Sequence, residues 1–289
     1  MLHFIYNPTA GHGRAARARR ALEPLLAEIP HAFHETSGRK NAVDLVRQLT
    51  RDIPGDADII AMGGDGTLNE VLNGLHDPAR TRLGLIPCGS GNDFAAAANL
   101  PTDFAKALDV ILHGQARPTD YMECSGVRGI NAIGTGIDVD ILRRYARMKV
   151  LKGSAAYMTS LITTVASYSA KRFEEVVDGS AIPHNALIAC AGNGRSIGGG
   201  IPICPKAKLD DGLLDVIIVD GIKKPAIPLA FMKLMQRRVN EIKSAVFKRQ
   251  DRLTIRSDTP IPLQIDGEIY EDLPFDVRLI HGQLRFYRP

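Results

Sequence analysis

The run Gly63-Gly64-Asp65-Gly66-Thr67-Leu68-Asn69-Glu70, entered from the apolar stretch Asp58-Ile59-Ile60-Ala61-Met62, constrains this chain more than any other feature. Residues 59–62 read as a buried parallel strand and residues 69–75 as the start of a helix. Glycines at the junction let backbone N–H groups approach a phosphate that bulkier side chains would exclude. Asp65 falls inside the turn, where a carboxylate can hold Mg²⁺ or polarise its water shell against phosphate oxygens. Thr67 adds a hydroxyl at the helix entrance. A turn that merely connects strand to helix needs no such set. Three glycines around one acid pack poorly and bind phosphate well.

The same alternation runs through the first 120 residues. Strands at 2–6, 31–36, 58–62 and 83–86 alternate with helices at 15–28, 41–52, 69–76, 92–99 and 104–113. This order predicts an α/β domain over residues 1–120, a doubly wound parallel sheet whose ligands sit at the strands' carboxyl ends. After Tyr121 the texture changes. Short strands at 127–133, 186–191, 213–219, 252–257 and 262–265 are separated by Gly, Pro and Asp turns. Two helical stretches interrupt them, 138–165 (broken near Gly153) and 227–241. The expectation is a β-rich, β-sandwich-like second domain over 121–289, the C-terminal segment free to return to the first domain. The active site is expected in the cleft between the two.

Two further glycine-bearing turns follow strands and open helices. Asn7-Pro8-Thr9-Ala10-Gly11-His12-Gly13 precedes a helix carrying Arg14, Arg17, Arg19 and Arg20, and could cup a phosphate with Asn7 and backbone amides. Pro87-Cys88-Gly89-Ser90-Gly91-Asn92-Asp93-Phe94 offers the Ser90 hydroxyl, with Asn92 and Asp93 suited to helix capping. No Gly-Lys-Ser/Thr follows a strand, so none of the three is a Walker loop.

Two acidic turns lie in the second half. Lys208-Leu209-Asp210-Asp211-Gly212-Leu213-Leu214-Asp215 gathers three carboxylates before a strand, an oxygen-ligand set suited to Mg²⁺. Gln264-Ile265-Asp266-Gly267-Glu268 places two acids at a strand end. An ordinary Asp-Gly hairpin explains either turn equally well. Strand positions i and i+2 share a face, so Asp266 and Glu268 are both expected to reach the cleft, a reading that the turn-forming Gly267 weakens.

Composition narrows the function classes. With 45% hydrophobic and 24% charged residues, the chain suits a globular protein with substantial cores. Trp is absent and aromatics are 6%, which argues against a stacking platform for single-stranded nucleic acid. Cys88, Cys124, Cys190 and Cys204 are too dispersed for a metal site and read as free thiols in a reducing compartment. No charged leader with an apolar core opens the chain. The longest uncharged stretch, residues 153–170, is too short and polar to span a bilayer. A cytoplasmic protein is expected, with the inner membrane face as its site of peripheral contact. The net charge of +4 suits an anionic substrate or surface. Two basic clusters, Arg143/Arg144/Arg147/Lys149/Lys152 and Lys233/Arg237/Arg238/Lys243/Lys248/Arg249, could meet anionic headgroups, although a solvated face is the commoner meaning of such runs.

Taken in order, these motifs resemble the soluble diacylglycerol-kinase catalytic-domain family, which includes bacterial lipid kinases and sphingosine and ceramide kinases. The matching residues are Asn7-Pro8-x-x-Gly11, Gly63 to Asn69, Pro87-x-Gly89-Ser90-x-Asn92-Asp93-Phe94-Ala95, Gly198-Gly199-Gly200, Pro205-x-Ala207, Asp211 to Asp215 and Asp266-Gly267-Glu268. Ser90 stands where the family usually has Thr, and a hydroxyl is kept. The resemblance implies an ATP-dependent lipid kinase acting on a hydroxyl of diacylglycerol or a related lipid. It implies ATP binding by Asn7, Pro8, Thr9, Ala10, Gly11, Thr36, Gly63, Gly64, Asp65, Gly66, Thr67, Leu68, Asn69 and Ser90, with Asp65 near the nucleotide's Mg²⁺. It implies a structural Mg²⁺ at Asp211 and the carbonyls of Leu209 and Leu213, and a general base at Glu268 or Asp266. It implies a lipid substrate at the membrane surface and leaves a homodimer open. NAD kinase shares the Gly-Gly-Asp-Gly-Thr turn, but the Gly89-Ser90-x-Asn92-Asp93-Phe94 turn and the late Asp266-Gly267-Glu268 match lipid kinases better. A regulator that binds nucleotide or lipid without turnover is the third reading, and the retained acids Asp65, Asp211, Asp266 and Glu268 argue against it.

Overall fold

The computed structural model describes residues 1–38, 41–53, 55–147, 159–160, 162–165 and 167–289. The chain forms two compact units. One comprises Met1–Tyr121, Leu209–Asp211 and Ile280–Pro289, the other Met122–Lys208 and Gly212–Leu279.

The first unit is a parallel α/β domain. Strand β1 (Leu2–Tyr6) lies between β2 (His31–Glu35) and β3 (Ala57–Gly63), and β4 (Thr81–Pro87) continues the sheet beyond β3, all parallel. Residues Arg285 and Phe286, near the chain's end, pair parallel with β4. The strands are apolar on successive positions because helices cover both faces. On one face Phe4, Tyr6, Ile60, Met62 and Ile86 pack with Ala15, Ala18 and Leu22 of α1 (Ala10–Leu22). Leu108 and Ile111 of α5 (Phe104–His113) join the same core. The intervening Ile5, Ile59, Ala61 and Leu85, also buried, point to the other face by the two-residue period. Helix α2 (Asn41–Asp52) contacts α3 (Asp65–Gly74) closely enough that a Cβ on Gly74 would meet Val46 at 2.7 Å. The five-residue α4 (Asp93–Ala97) completes this unit's helices.

The first and third helices depart furthest from the sequence expectation. The predicted helix over 15–28 is preceded by three left-handed residues, Gly11, His12 and Gly13, so regular helix begins at Arg14; it ends at Leu22, where Pro24 tightens the chain into a 3₁₀ turn over Glu23–Leu26. Helix α3 begins at Asp65, not Asn69, so Asp65 and Thr67 lie in its first turn.

The second unit is antiparallel. Strand β5 (Gln115–Cys124) belongs to the first unit as far as Tyr121 and to this one from Met122, and β6 (Val127–Gly129) and β7 (Ala132–Gly136) lead on into helix α6 (Ile137–Arg147). Strand β9 (Ser180–Gly192) pairs with β7, with β8 (Lys171–Val177) and with β10 (Leu214–Asp220); β11 (Ala245–Gln250) pairs with β10. Strand β12 (Arg252–Arg256) pairs with β8, and β13 (Leu263–Ile265) joins β7 to β14 (Glu268–Tyr270). Strand β15 (Asp276–Arg288) belongs to this unit as far as Leu279 and to the first from Ile280. The centre of this sheet is buried on both faces. Ala189, Ala191, Val216 and Ile218 share one core with Leu253, Leu263 and Val277, whereas Ile188, Cys190, Ile217 and Val219 share another with α6 and with α7 (Ile227–Met235). That double burial is why β9 and β10 read as continuous apolar runs.

The strand expected over 127–133 is two strands, broken at Ile130 and Asn131. The helix expected over 138–165 is α6 as far as Arg147; Lys149, Lys152 and the break near Gly153 lie outside the described residues. The helix expected over 227–241 stops at Met235, and a separate 3₁₀ turn follows at Val239–Glu241.

Candidate active site

In the first unit, three turns meet where β1, β3 and β4 end. Their glycines are spacing devices. Gly11 is left-handed (φ 58°), and a Cβ there would overlap the Cys88 carbonyl oxygen. Gly64 and Gly89 touch backbone to backbone, a Cβ on Gly64 falling 3.0 Å from the Gly89 Cα. A Cβ on Gly63 would strike the Thr67 side chain, which folds back over the strand end. No other residue permits this approach. The Arg14 guanidinium adds a bond to the Gly89 carbonyl at 3.3 Å.

Each turn is also closed internally. Asn7 Oδ1 accepts the Thr9 N–H at 2.9 Å and the Thr9 hydroxyl at 2.7 Å. Asn92, itself left-handed (φ 55°), accepts the Gly89 N–H at 3.0 Å and donates to the Gly89 carbonyl at 2.8 Å. Asp65 ties the second turn to the third: its carboxylate accepts the N–H of Asp93 at 3.1 Å and of Phe94 at 3.0 Å, capping α4. The sequence reading gave Asp65 to ATP and its Mg²⁺; in the structure this carboxylate also holds two loops together.

Helix α3 has Gly64 as its N-cap with no side chain over it. The first-turn N–H groups of Gly66 and Thr67 cannot be bonded by the helix itself, and with the positive helix end they present donors suited to an anion. Leu68 is fully buried, so it can contribute only backbone; Asn69 is buried and accepts from Asn73 Nδ2 at 3.2 Å. Thr36 is buried after β2, its N–H and hydroxyl both on the Tyr6 carbonyl at 2.9 and 3.3 Å. Ser90 is exposed at the tip of the third turn. Cys88 beneath it is inert, burial pushing its thiol up to about 11.

Leu209 and Asp211 also belong to this unit. The Leu209 carbonyl accepts the Asp120 N–H at 2.7 Å, and the buried Asp120 carboxylate binds His281 Nδ1 and the Gly282 N–H, each at 2.8 Å. Gly212 follows in the left-handed conformation (φ 73°), carrying the chain on to Leu213 and β10. In this unit the Asp211 carboxylate and the Leu209 carbonyl are hard oxygen donors of the kind Mg²⁺ accepts alongside its own waters; Leu213 belongs to the second unit. Among the described residues there is no cluster of three or more His, Cys, Asp or Glu that could hold a metal ion.

In the second unit, Asp266 and Gly267 are the central pair of the β13–β14 hairpin, both left-handed (φ 47° and 91°), as a type I′ turn requires. The i, i+2 argument therefore fails for Asp266 and Glu268, because Asp266 is a turn residue. Its carboxylate folds back onto the break between β6 and β7: Oδ2 accepts the Ile130 N–H at 2.7 Å, and Oδ1 those of Asn131 and Ala132 at 2.9 Å. Glu268 heads β14 and is half-buried.

The same unit contains an apolar pocket between α6, α7 and the sheet. Among the described residues that line it, Ile141, Leu187, Ile203, Phe231 and Leu234 included, only Asp138 carries a polar side chain. Asp138 Oδ1 accepts the Val139 N–H at 2.9 Å, while Oδ2 is buried with no hydrogen-bond partner among the described residues. Burial pushes its carboxyl up to about 7, the Gln264 side chain and nearby backbone N–H groups pulling the other way. Sequence reasoning passed over this residue. The signal was present: Asp138 sits between Ile137 and Ile141 in an amphipathic helix, on a stripe where a carboxylate has no packing role.

Residues 1–124 match the family described as "Diacylglycerol kinase catalytic domain", and residues 131–288 the "YegS C-terminal NAD kinase beta sandwich-like domain". A protein of Staphylococcus carnosus named diacylglycerol kinase is 30% identical over 292 residues, covering 99% of this chain and 94% of that one. Among solved structures, a diacylglycerol kinase of Bacillus anthracis aligns over 100% of this chain and 96% of its own, with TM-score 0.73 and 22% identity. An NAD kinase of Archaeoglobus fulgidus in complex with ATP aligns over 100% and 94%, with TM-score 0.51 and 14% identity. At those identities the two structures speak to the fold alone: an α/β domain followed by a β-sandwich-like domain.

Proposed function

The chain belongs to the diacylglycerol kinase family and is a lipid kinase; from that premise we propose that it transfers the γ-phosphoryl group of ATP to a hydroxyl of diacylglycerol or a related lipid. One observation supports the lipid side above all: a pocket walled by apolar side chains with one buried acid. Such a pocket suits an acyl or alkyl acceptor and offers nothing to a dinucleotide's phosphates and riboses.

The nucleotide side rests on the three glycine turns. Asn7 to Gly11, Thr36, Gly63 to Asn69 and Ser90 are assigned to ATP, the phosphates facing the first-turn N–H groups of α3. The fit is chemical: glycine-lined backbone, a helix N-terminus and Arg14 form a cationic surface without a cysteine or histidine centre. Magnesium, when bound, neutralises phosphate charge; Asp65 is the carboxylate nearest that role, and Asp211 with the Leu209 and Leu213 carbonyls is assigned a structural Mg²⁺.

Of the two candidate bases, Glu268 is the better. A carboxylate already accepting three backbone N–H bonds is a structural clamp, which describes Asp266. Glu268 takes the proton of the acceptor hydroxyl while that oxygen bonds to the γ-phosphorus and the bond to the β-γ bridging oxygen breaks, releasing ADP. Little covalent chemistry is asked of the protein; positioning and charge neutralisation supply most of the acceleration.

The test is an acceptor panel. With labelled ATP and Mg²⁺, the purified protein should phosphorylate diacylglycerol or a related hydroxylated lipid. Label appearing only in NAD, or in no acceptor, overturns the reading.

A further inference from the structure

We propose that helix α7 is the membrane-docking element of this kinase, lying in the headgroup region of an anionic bilayer with Leu229, Met232 and Met235 inserted. The inference rests on the lipid-kinase reading only for the reason a bilayer is met at all. Its evidence is separate from the nucleotide turns and from Glu268.

Helix α7 is apolar on both sides but for Lys233, whose ammonium turns to the Glu241 carbonyl at 2.8 Å. Its inner side is accounted for: Ile227, Phe231 and Leu234 wall the apolar pocket. Its outer side carries Leu229, Met232 and Met235, which are 53%, 50% and 43% exposed. Isolated exposed apolar residues are ordinary, but three large ones on a nine-residue helix form a stripe. A helix apolar all round belongs either in a protein core or against lipid. Exposure of the outer side rules out the core.

Charge selects the occupant. From Ile222 to Arg249 the chain carries eight Lys or Arg (Lys223, Lys224, Lys233, Arg237, Arg238, Lys243, Lys248 and Arg249) against the single acid Glu241, whereas the whole chain is only +4. Part of this charge is used internally. Arg238 pairs with Glu241 at 2.6 Å, Lys248 with the buried Glu175, and Arg249 with Asp215 at 3.7 Å. Lys223 and Lys224 before the helix, Arg237 after it and Lys243 beyond are all exposed, with no ion partner among the described residues. An apolar stripe bracketed at both ends by unneutralised cations matches an anionic lipid surface, with acyl chains under the stripe and headgroups at its ends. A second copy of this chain would bring the same cations against themselves.

The chain has no Trp, so a single introduced indole reports one place. Leu229→Trp should blue-shift, and be quenched by bromolipid, when vesicles of phosphatidylglycerol and phosphatidylcholine are added. Leu25→Trp, at an exposed site of the first unit, should stay water-like. Removing Lys223 and Lys224 as a Gln pair should weaken vesicle partitioning more than tenfold, at about fivefold per cation. No shift for Leu229→Trp, an equal shift with neutral vesicles, or a vesicle-independent shift that grows with protein concentration (a second copy) overturns the proposal. Kinase activity on a monomeric short-chain acceptor separates the two readings. It should survive Met232→Ser while activity on vesicles falls. Absence of all activity in the parent protein strikes the kinase reading, whereas normal activity without vesicle contact strikes only this one.

Discussion

Asp65 and Phe94 are joined by a 3.0 Å bond from the Phe94 backbone N–H to the Asp65 carboxylate, and this bond makes one acid part of two turns at once. The other carboxylate oxygen takes the Asp93 N–H, so the pair caps α4 from outside its own sequence. Losing a cap costs about 1 kcal/mol. Asp65→Ala should therefore lower unfolding free energy by about that amount and also reduce turnover at least a hundredfold. Asp65→Asn keeps one acceptor for the cap but not the charge, and should regain most of the stability with little of the activity. Denaturant melts beside steady-state rates check it; full turnover in either variant would remove Asp65 from the chemistry.

Asp266 clamps three backbone amides, and Glu268 is the proposed base. Asp266→Asn turns an amide NH₂ toward one of three backbone donors and gives up the charge on the others, so it should cost about 2–3 kcal/mol. Glu268→Gln should leave the melt within about 0.5 kcal/mol of the parent and lower kcat by about 10²–10⁴-fold, the usual contribution of a positioned base, with ATP affinity kept. Equal and small kinetic losses in both would withdraw the assignment of Glu268.

Local signals read well where the chain's own neighbours decide the outcome. Helix α5 spans residues 104–113 as expected because Asp103 caps it, accepting the Lys106 N–H at 3.0 Å, and Gly114 ends it. Strand β1 covers residues 2–6 because nothing distant interrupts it. Local reasoning fails where remote contacts decide. Residues 127–133 alternate like one strand, yet Asp266, more than 130 residues away, takes the three amides at Ile130, Asn131 and Ala132 and breaks it. Strands β5 and β15 escaped notice because Pro118 and Gly282 (φ 62°) interrupt them and charged residues stud their length. The glycine turns were legible as strand-to-helix turns; their tight mutual packing was not, since it depends on which strand ends adjoin.

That packing is testable at Gly11. A methyl group there meets the Cys88 carbonyl, and the left-handed backbone adds strain that an L side chain resists. Gly11→Ala should cost about 1–3 kcal/mol and weaken ATP binding, because the first turn must move away from the third. Gly55→Ala has left-handed strain as well but open space around it. It should therefore destabilise less and leave nucleotide affinity unchanged. Isothermal titration with ATP distinguishes the two; unchanged affinity in Gly11→Ala would free the first turn from the nucleotide site.

Asp138 gives the second unit a pH signature. Its carboxyl is raised to about 7 in the folded protein from an ordinary value near 3.8, so the folded state holds a proton that the unfolded chain releases. Between those two values the folded state binds more protons, and stability falls as pH rises. Above about pH 7 the folded protein carries the ionised, half-satisfied carboxylate at a cost of a few kcal/mol. Asp138→Asn removes that charge and keeps an acceptor for Val139. Its melting temperature should match the parent's near pH 4 and exceed it increasingly up to pH 8. A difference that is flat with pH, or of opposite slope, would mean that Asp138 is ionised throughout and that the pocket beside it is wetter than its apolar lining implies.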